Sequence, residues 1–258
     1  MTAVLGIDAA WSDRNPSGVA LAAAGADGWR LLAVSASYDD FLGRGGDRPR
    51  GRPAPVAELL ARARELAGEA VSLVAVDMPL SLDPIGGYRA SDRALSQVFG
   101  SMKCATRPPS ARSPGPVSDS LRADCQAAGY PLAVGPPVAA RALIEVYPHP
   151  ALVRLTSAAE RLTYKVAKQR SYWRMSFRQE RVDELNRVWA GIVEALDPEL
   201  AGAAEQLTPP DDDAPKWAMK AFEDRLDAVV CAYAGVCALE GRAEAYGDAR
   251  SAIWVPLG

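Results

Sequence analysis

Apolar residues along this chain switch between two spacings, and the order of the switches outlines a sheet with helices laid against it. Short apolar runs over 4–10, 18–24 and 29–37, separated by turn-rich segments at 12–17 and 25–28, predict three strands. Linkers this short make the neighbours antiparallel, because a parallel return needs a crossover of about a dozen residues or more. After a loop rich in Gly, Pro and Arg at 43–55, Leu59, Leu60, Ala63 and Leu66 recur at helical spacing within 56–70, with charges on the other face. Residues 71–78 are almost continuously apolar, as expected of a parallel strand covered on both sides.

A right-handed crossover through that helix places the fourth strand parallel to the first and near it. Farther on, helices are predicted over 90–99 and 117–128, on either side of an irregular, proline-rich segment at 100–116. A short strand at 142–147 carries Glu145 and is closed by Pro148-His149-Pro150 as a turn. A basic and aromatic stretch runs over 154–187, the longest helix covers 217–240, and 252–255 adds a final edge strand. The expected fold class is α/β: a mixed five-stranded sheet, antiparallel over strands one to three and parallel at strands four and five, flanked by helices. All of 1–258 is read as one domain, with a loop and helical insertion around 81–140 and a basic helical insertion around 154–212.

Against this pattern, three acids are out of place. Asp8 ends the run Val4-Leu5-Gly6-Ile7, Asp77 ends Leu73-Val74-Ala75-Val76, and Asp227 interrupts the apolar side of the last helix. Burying even a neutral polar group without a partner costs roughly 2–7 kcal/mol. The topology sets Asp8 and Asp77 at the carboxyl ends of adjacent strands, where open α/β sheets collect ligands. Asp224 shares a helix face with Asp227. Convergent carboxylates with few competing His or Cys ligands suit a hard cation, Mg2+ or Mn2+. Taken singly, each acid also has a structural reason: Asp8 and Asp77 as turn residues, Asp224 and Asp227 as acids near a helix N-terminus.

Composition narrows the class without choosing the function. With 49% hydrophobic residues the chain has ample material for a core, and its net charge of −3 does not suggest a protein that coats nucleic acid. The four cysteines form no CxxC pair and there is one histidine, which argues against a zinc site of His and Cys. The N-terminus lacks the pattern of a signal peptide and no apolar stretch is long enough to span a bilayer. The expectation is a cytoplasmic protein with reduced thiols and no membrane partner; the oligomeric state, a homodimer included, stays open.

Several segments taken together resemble a known family. These are Asp77-Met78-Pro79-Leu80, Arg89-x-Ser91-Asp92-Arg93, the run from Ile144 to Pro150, Tyr164-Lys165 and Leu226-Asp227-Ala228. They resemble the domain of unknown function 429 family, which is predicted to contain nucleases of the ribonuclease H-like superfamily. In order, Gly6-Ile7-Asp8, Val76-Asp77-Met78-Pro79 and Asp224-x-x-Asp227-Ala228 resemble the ribonuclease H-like superfamily itself, and the last of these resembles the closing helix of Holliday-junction resolvases. The resemblance implies a ribonuclease H-like fold and a two-metal nuclease. It implies Asp8, Asp77 and Asp227 as metal ligands, with Glu145 and Asp224 as further ligands and Asp8, Asp77, Glu145 and Asp227 as the catalytic set. One departure is the first helix, whose Glu58 and Glu65 face solvent, so Glu145 or Asp224 must supply the missing ligand.

Candidate substrate contacts are Arg89 and Arg93 after the fourth strand, Arg112 in the proline-rich loop, Lys165 in the basic stretch, and His149. Each has a plainer reading: surface ion pairs, a connector, a solvated basic face, or a histidine packed on its prolines. The expected function is metal-dependent hydrolysis of phosphodiester bonds in DNA or RNA. Two alternatives stand beside it. One is an actin-like phosphotransfer protein, disfavoured because Ala9-Ala10-Trp11 is no phosphate cradle; the other is a non-catalytic binding module on the same fold.

Overall fold

Seven strands and the helices that cover them account for the hydrophobic pattern. In the computed structural model, which describes residues 2–174 and 177–258, the chain begins with β1 (Ala3–Asp8), β2 (Gly18–Gly25) and β3 (Gly28–Ser35). These three form an antiparallel meander. A short helix, α1 (Tyr38–Phe41), and α2 (Val56–Ala67) lead to β4 (Leu73–Val76), which lies parallel to β1. Next come α3 (Ala90–Phe99), α4 (Pro116–Ala127) and β5 (Ala142–Val146), parallel to β4. The C-terminal part holds α5 (Pro148–Thr156), α6 (Gln169–Tyr172), α7 (Arg178–Leu196), α8 (Ala203–Gln206), α9 (Lys216–Leu239), β6 (Ala243–Gly247) and β7 (Ala252–Pro256). Strand order across the sheet is β3-β2-β1-β4-β5-β7-β6.

The first five strands lie as the pattern predicts, but the sheet has seven. Two features were not expected. The strand at Ala252–Pro256 is interior, pairing parallel to β5 and antiparallel to β6, so β6 forms the edge. Residues of β6 are mostly half-exposed and alternate weakly, which is why no strand period stands out there. Pro148-His149-Pro150 opens helix α5 rather than closing a turn, since proline at the first helical position already has the required φ and lacks only an N–H the helix leaves unused.

Helix α9 crosses the middle of the sheet, and two glycines set how closely. A Cβ on Gly6 would stand 2.4 Å from the Ala228 carbonyl oxygen, and one on Gly18 would stand 2.0 Å from that of Asp224. The helix is covered above as well, by Tyr164, Val166 and the α7 residues Leu185 and Trp189. Burial therefore runs all round α9 from Phe222 to Ala238, with the Trp189 and Phe222 rings 4.6 Å apart. A helix apolar all round is one enclosed by protein. Helices α2 and α4 cover the opposite face. Among the described residues no helix is long and apolar enough to cross a membrane.

Candidate active site

Strand alternation decides which acids meet. Successive side chains on a strand point to opposite faces. Val4, Leu73 and Ala75 pack in the core under α9, whereas Leu5, Ile7, Val74 and Val76 pack under α2 and α4. Asp8 and Asp77 continue the first set, and the Asp77 N–H donates to the Ile7 carbonyl at 2.9 Å, carrying the ladder one step past β4. Both carboxylates thus emerge half-buried on the α9 face, at the carboxyl ends of adjacent parallel strands.

From α9, Glu223, Asp224 and Asp227 come down toward them, all buried. The helix begins at Lys216, so these acids lie in its third and fourth turns. The helix dipole acts mainly within the first turn and does not account for them. Two lysines and a tyrosine hold the group. Tyr164 donates its hydroxyl to Asp227 Oδ1 at 2.7 Å, and the Lys165 ammonium donates to Asp227 Oδ2 and lies 3.5 Å from Glu223 Oε1. Lys220 pairs with Asp224 and lies 3.1 Å from Glu223, whose other oxygen accepts the Val166 N–H at 2.6 Å.

These contacts separate the acids electrostatically. Burial opposes the charge on Glu223, but Lys165 and Lys220 outweigh it and hold its carboxyl below the usual range. Burial raises Asp224 to about 6 against the pull of Lys220. Lys165 and Lys220 also pull Asp8 and Asp77 down, but there burial and the neighbouring acids prevail. Burial, then Asp227 and Asp224, push Asp8 well above its ordinary value, and burial followed by Asp227 raises Asp77 to about 7. Among the described residues none donates a hydrogen bond to either carboxylate. Nor, among the described residues, do three His, Cys, Asp or Glu side chains stand close enough together to hold a metal ion. The α9 carboxylates turn to their lysines instead.

Glu145 does not join this group. It stands in register with Val76 on β5, between Ile144 and Val146, which face α9, so its own side chain points to the other face. There Arg89 grips it with both terminal nitrogens, at 2.5 and 2.7 Å, and the Leu80 N–H adds a bond at 2.7 Å. Arg89 also donates to both Asp92 oxygens, at 3.0 and 2.9 Å, and to the Leu80 carbonyl at 2.6 Å. All five guanidinium N–H groups are thereby used. The expected fourth metal ligand and the expected phosphate contact answer each other, forming a buried tie between β5, α3 and the segment after β4.

The remaining candidates divide. Lys165 is at the site, on carboxylates. His149 is buried nearby, its ring edge-on to Tyr147 and to Tyr164 at 5.2 and 5.4 Å, with Nδ1 lacking a partner. Burial, then Lys165 and Arg161, keep it neutral. Arg93 lies exposed on α3 and donates to the Tyr88 carbonyl at 3.3 Å. Arg112 projects to solvent from the 110–113 turn. Neither arginine is brought to the carboxylates, because α3 turns that side outward and the turn lies at the surface. From the same proline-rich segment, Arg107 lies over the Trp11 ring at 5.4 Å.

Family comparison bears on the same residues. A family described as Protein of unknown function (DUF429) matches residues 6–251. The chain belongs to this family. Comparison with curated proteins gives no match, and comparison with solved structures gives none either. The stretch shared with the DUF429 family holds every residue of the carboxylate group, from Asp8 to Asp227. It also holds two members that the sequence reading passed over, Glu223 and Lys220. Their signal was present: Lys220, Glu223, Asp224 and Asp227 recur at spacings of three and four, which marks one helix face.

Proposed function

We propose that this DUF429 protein is a divalent-metal-dependent nuclease of ribonuclease H-like fold, hydrolysing phosphodiester bonds in nucleic acid. One observation carries the reading: Asp8 and Asp77 end neighbouring parallel strands, face the same way, and lack hydrogen-bond donors among the described residues. The mixed order of the first five strands supports the fold assignment.

The donor chemistry suits a hard cation such as Mg2+ or Mn2+, since the acids on this face offer carboxylate oxygens. Asp8 and Asp77 would hold it, exchanging bound protons for the ion. Asp227 and Asp224 would reach it only by releasing Lys165 and Lys220. When bound, the ion supplies Lewis-acid activation of a water and charge for the departing oxygen. Tyr164 meanwhile orients Asp227 through Oδ1, and Lys165 places a positive charge beside the site.

The same lysine contacts favour a second reading, a non-catalytic module whose acids are neutralised from within. Cleavage of labelled single- and double-stranded DNA and RNA with Mg2+ or Mn2+ separates the two. Asp8→Asn and Asp77→Asn should reduce cleavage to background while circular dichroism stays unchanged. Equal cleavage by wild type and both variants overturns the nuclease reading, and Mn2+ binding that Asp8→Asn leaves unaltered favours the module.

A further inference from the structure

A cleft of about 420 Å³ opens beside the carboxylate group, and its charge is the reverse of its neighbour's. Arg170 of α6, Arg178 and Arg181 of α7, and Lys216 of α9 line it, and its described lining carries no acidic side chain. Val166 and Met219 form the wall toward the acids: the Val166 N–H is held by Glu223, and Met219 precedes Lys220 in α9. Two long helices, α7 and α9, begin at the cleft with Arg178 and Lys216, so their positive dipole ends add to the side-chain charges. Arg178 donates to the Ala214 carbonyl at 2.9 Å, which ties the start of α7 to the segment before α9.

Two of the lining cations have an aromatic neighbour in the chain. Phe177, next to Arg178, is 68% exposed, and Trp217, next to Lys216, is 39% exposed. Folding hides most large rings, so two exposed ones, each next in sequence to a cation of the cleft, offer surfaces that flat apolar partners can cover. Arg48 already stacks on Trp217, its guanidinium 5.2 Å from the ring centroid.

We infer that this cleft binds the phosphate backbone of a single-stranded nucleic acid, with unpaired bases stacking on Phe177 and Trp217. Cations that track phosphates and aromatic faces that take bases without regard to sequence are the two parts of a single-strand site. A duplex would offer the rings no base faces, because they are stacked inside it. The inference rests on the nuclease reading for its direction: a strand lying in the cleft passes the wall that carries Glu223 and Lys220, and so arrives at Asp8 and Asp77.

The test is fluorescence anisotropy with a labelled oligothymidylate of about twelve nucleotides, in EDTA so that binding is read without cleavage. Removing one cation that neutralises a phosphate should lower the slope of log affinity against log salt by about 0.7, so Arg170→Ala with Lys216→Ala should lower it by about 1.4. Both side chains reach solvent, and circular dichroism checks that the fold survives. Trp217→Ala should weaken binding about tenfold with the slope unchanged, and the wild-type tryptophan emission should be quenched on binding. Arg64→Ala on α2, on the far face of the sheet, should change neither. No binding by wild type, or affinity and slope unaltered in the cleft variants, overturns the cleft whether or not Asp8→Asn stops cleavage. Cleft-dependent binding by a protein that cleaves nothing overturns the nuclease reading and leaves the cleft standing.

Discussion

Asp77 follows β4 directly and Glu145 lies on its parallel neighbour β5, yet the two face opposite sides of the sheet. Val76 is the residue in register with Glu145, so Asp77 stands one step farther on, where alternation reverses the side. That single step separates an acid without hydrogen-bond donors among the described residues from one that Arg89 and Leu80 saturate.

If Glu145 is a tie rather than a ligand, its loss should cost stability and not metal affinity. Glu145→Ala leaves Arg89 buried with two of its five guanidinium hydrogen bonds gone, which should cost about 3–5 kcal/mol. Urea denaturation reads this cost, and calorimetry with Mn2+ should give an affinity equal to wild type. A variant of full stability that no longer binds Mn2+ would return Glu145 to the metal site.

Lys165 should be as necessary to the metal-free protein as a bound cation would be. Lys165→Met strands the fully buried Asp227, at a cost of about 3 kcal/mol in EDTA. Added Mn2+ should recover part of the loss in thermal melts. A melting temperature unaffected by the substitution in EDTA would show that the ion pair carries no stability.

Asp77 makes stability depend on pH in a direction that follows from its raised carboxyl, at about 7 against an ordinary 3.8. The folded state keeps a proton that the unfolded chain releases, so this stabilisation is full below about pH 4 and is lost as pH rises through about 7. Asp77→Asn does not titrate. In EDTA its stability relative to wild type should therefore grow between about pH 4 and pH 8, by at most about 4 kcal/mol. A difference in urea midpoint that is constant across that range would contradict a carboxyl raised by its surroundings in the folded state.

Gly18→Ala should act at the site without touching a functional side chain. Its Cβ would meet the Asp224 carbonyl at 2.0 Å, and neither backbone can yield cheaply. Overpacking of this kind costs about 1–3 kcal/mol. Because the clash pushes on the turn of α9 that carries Asp224 and Asp227, cleavage should fall even at temperatures where the variant is folded. Full activity with an unchanged melting temperature would mean that α9 has more freedom over β2 than its packing shows.

Residue by residue, local pattern carried a good deal. The apolar runs ending in Asp8 and Asp77, the helical spacing of Leu59, Leu60 and Ala63, and the Gly6 and Gly18 positions all lie within segments whose period is a local property of the backbone. Linker length then made strands one to three antiparallel, and crossover handedness put β4 beside β1. The chain by itself therefore determined the first five strands and the meeting of Asp8 with Asp77. The face of Glu145 was also legible, through alternation with Ile144 and Val146 on either side of it.

Tertiary structure alone decided the rest, and the reason is range. Lys165 meets Asp227 across 62 residues and Arg89 meets Glu145 across 56, and no local period specifies which cation answers which buried acid. The insertion of β7 between β5 and β6 likewise depends on which sheet edge is free once α3 and α5 have packed. So does the cleft, whose four cations come from three helices and become a site only where those helices converge. Sequence placed the acids; packing determined which are bound by their own lysines and which two stand open.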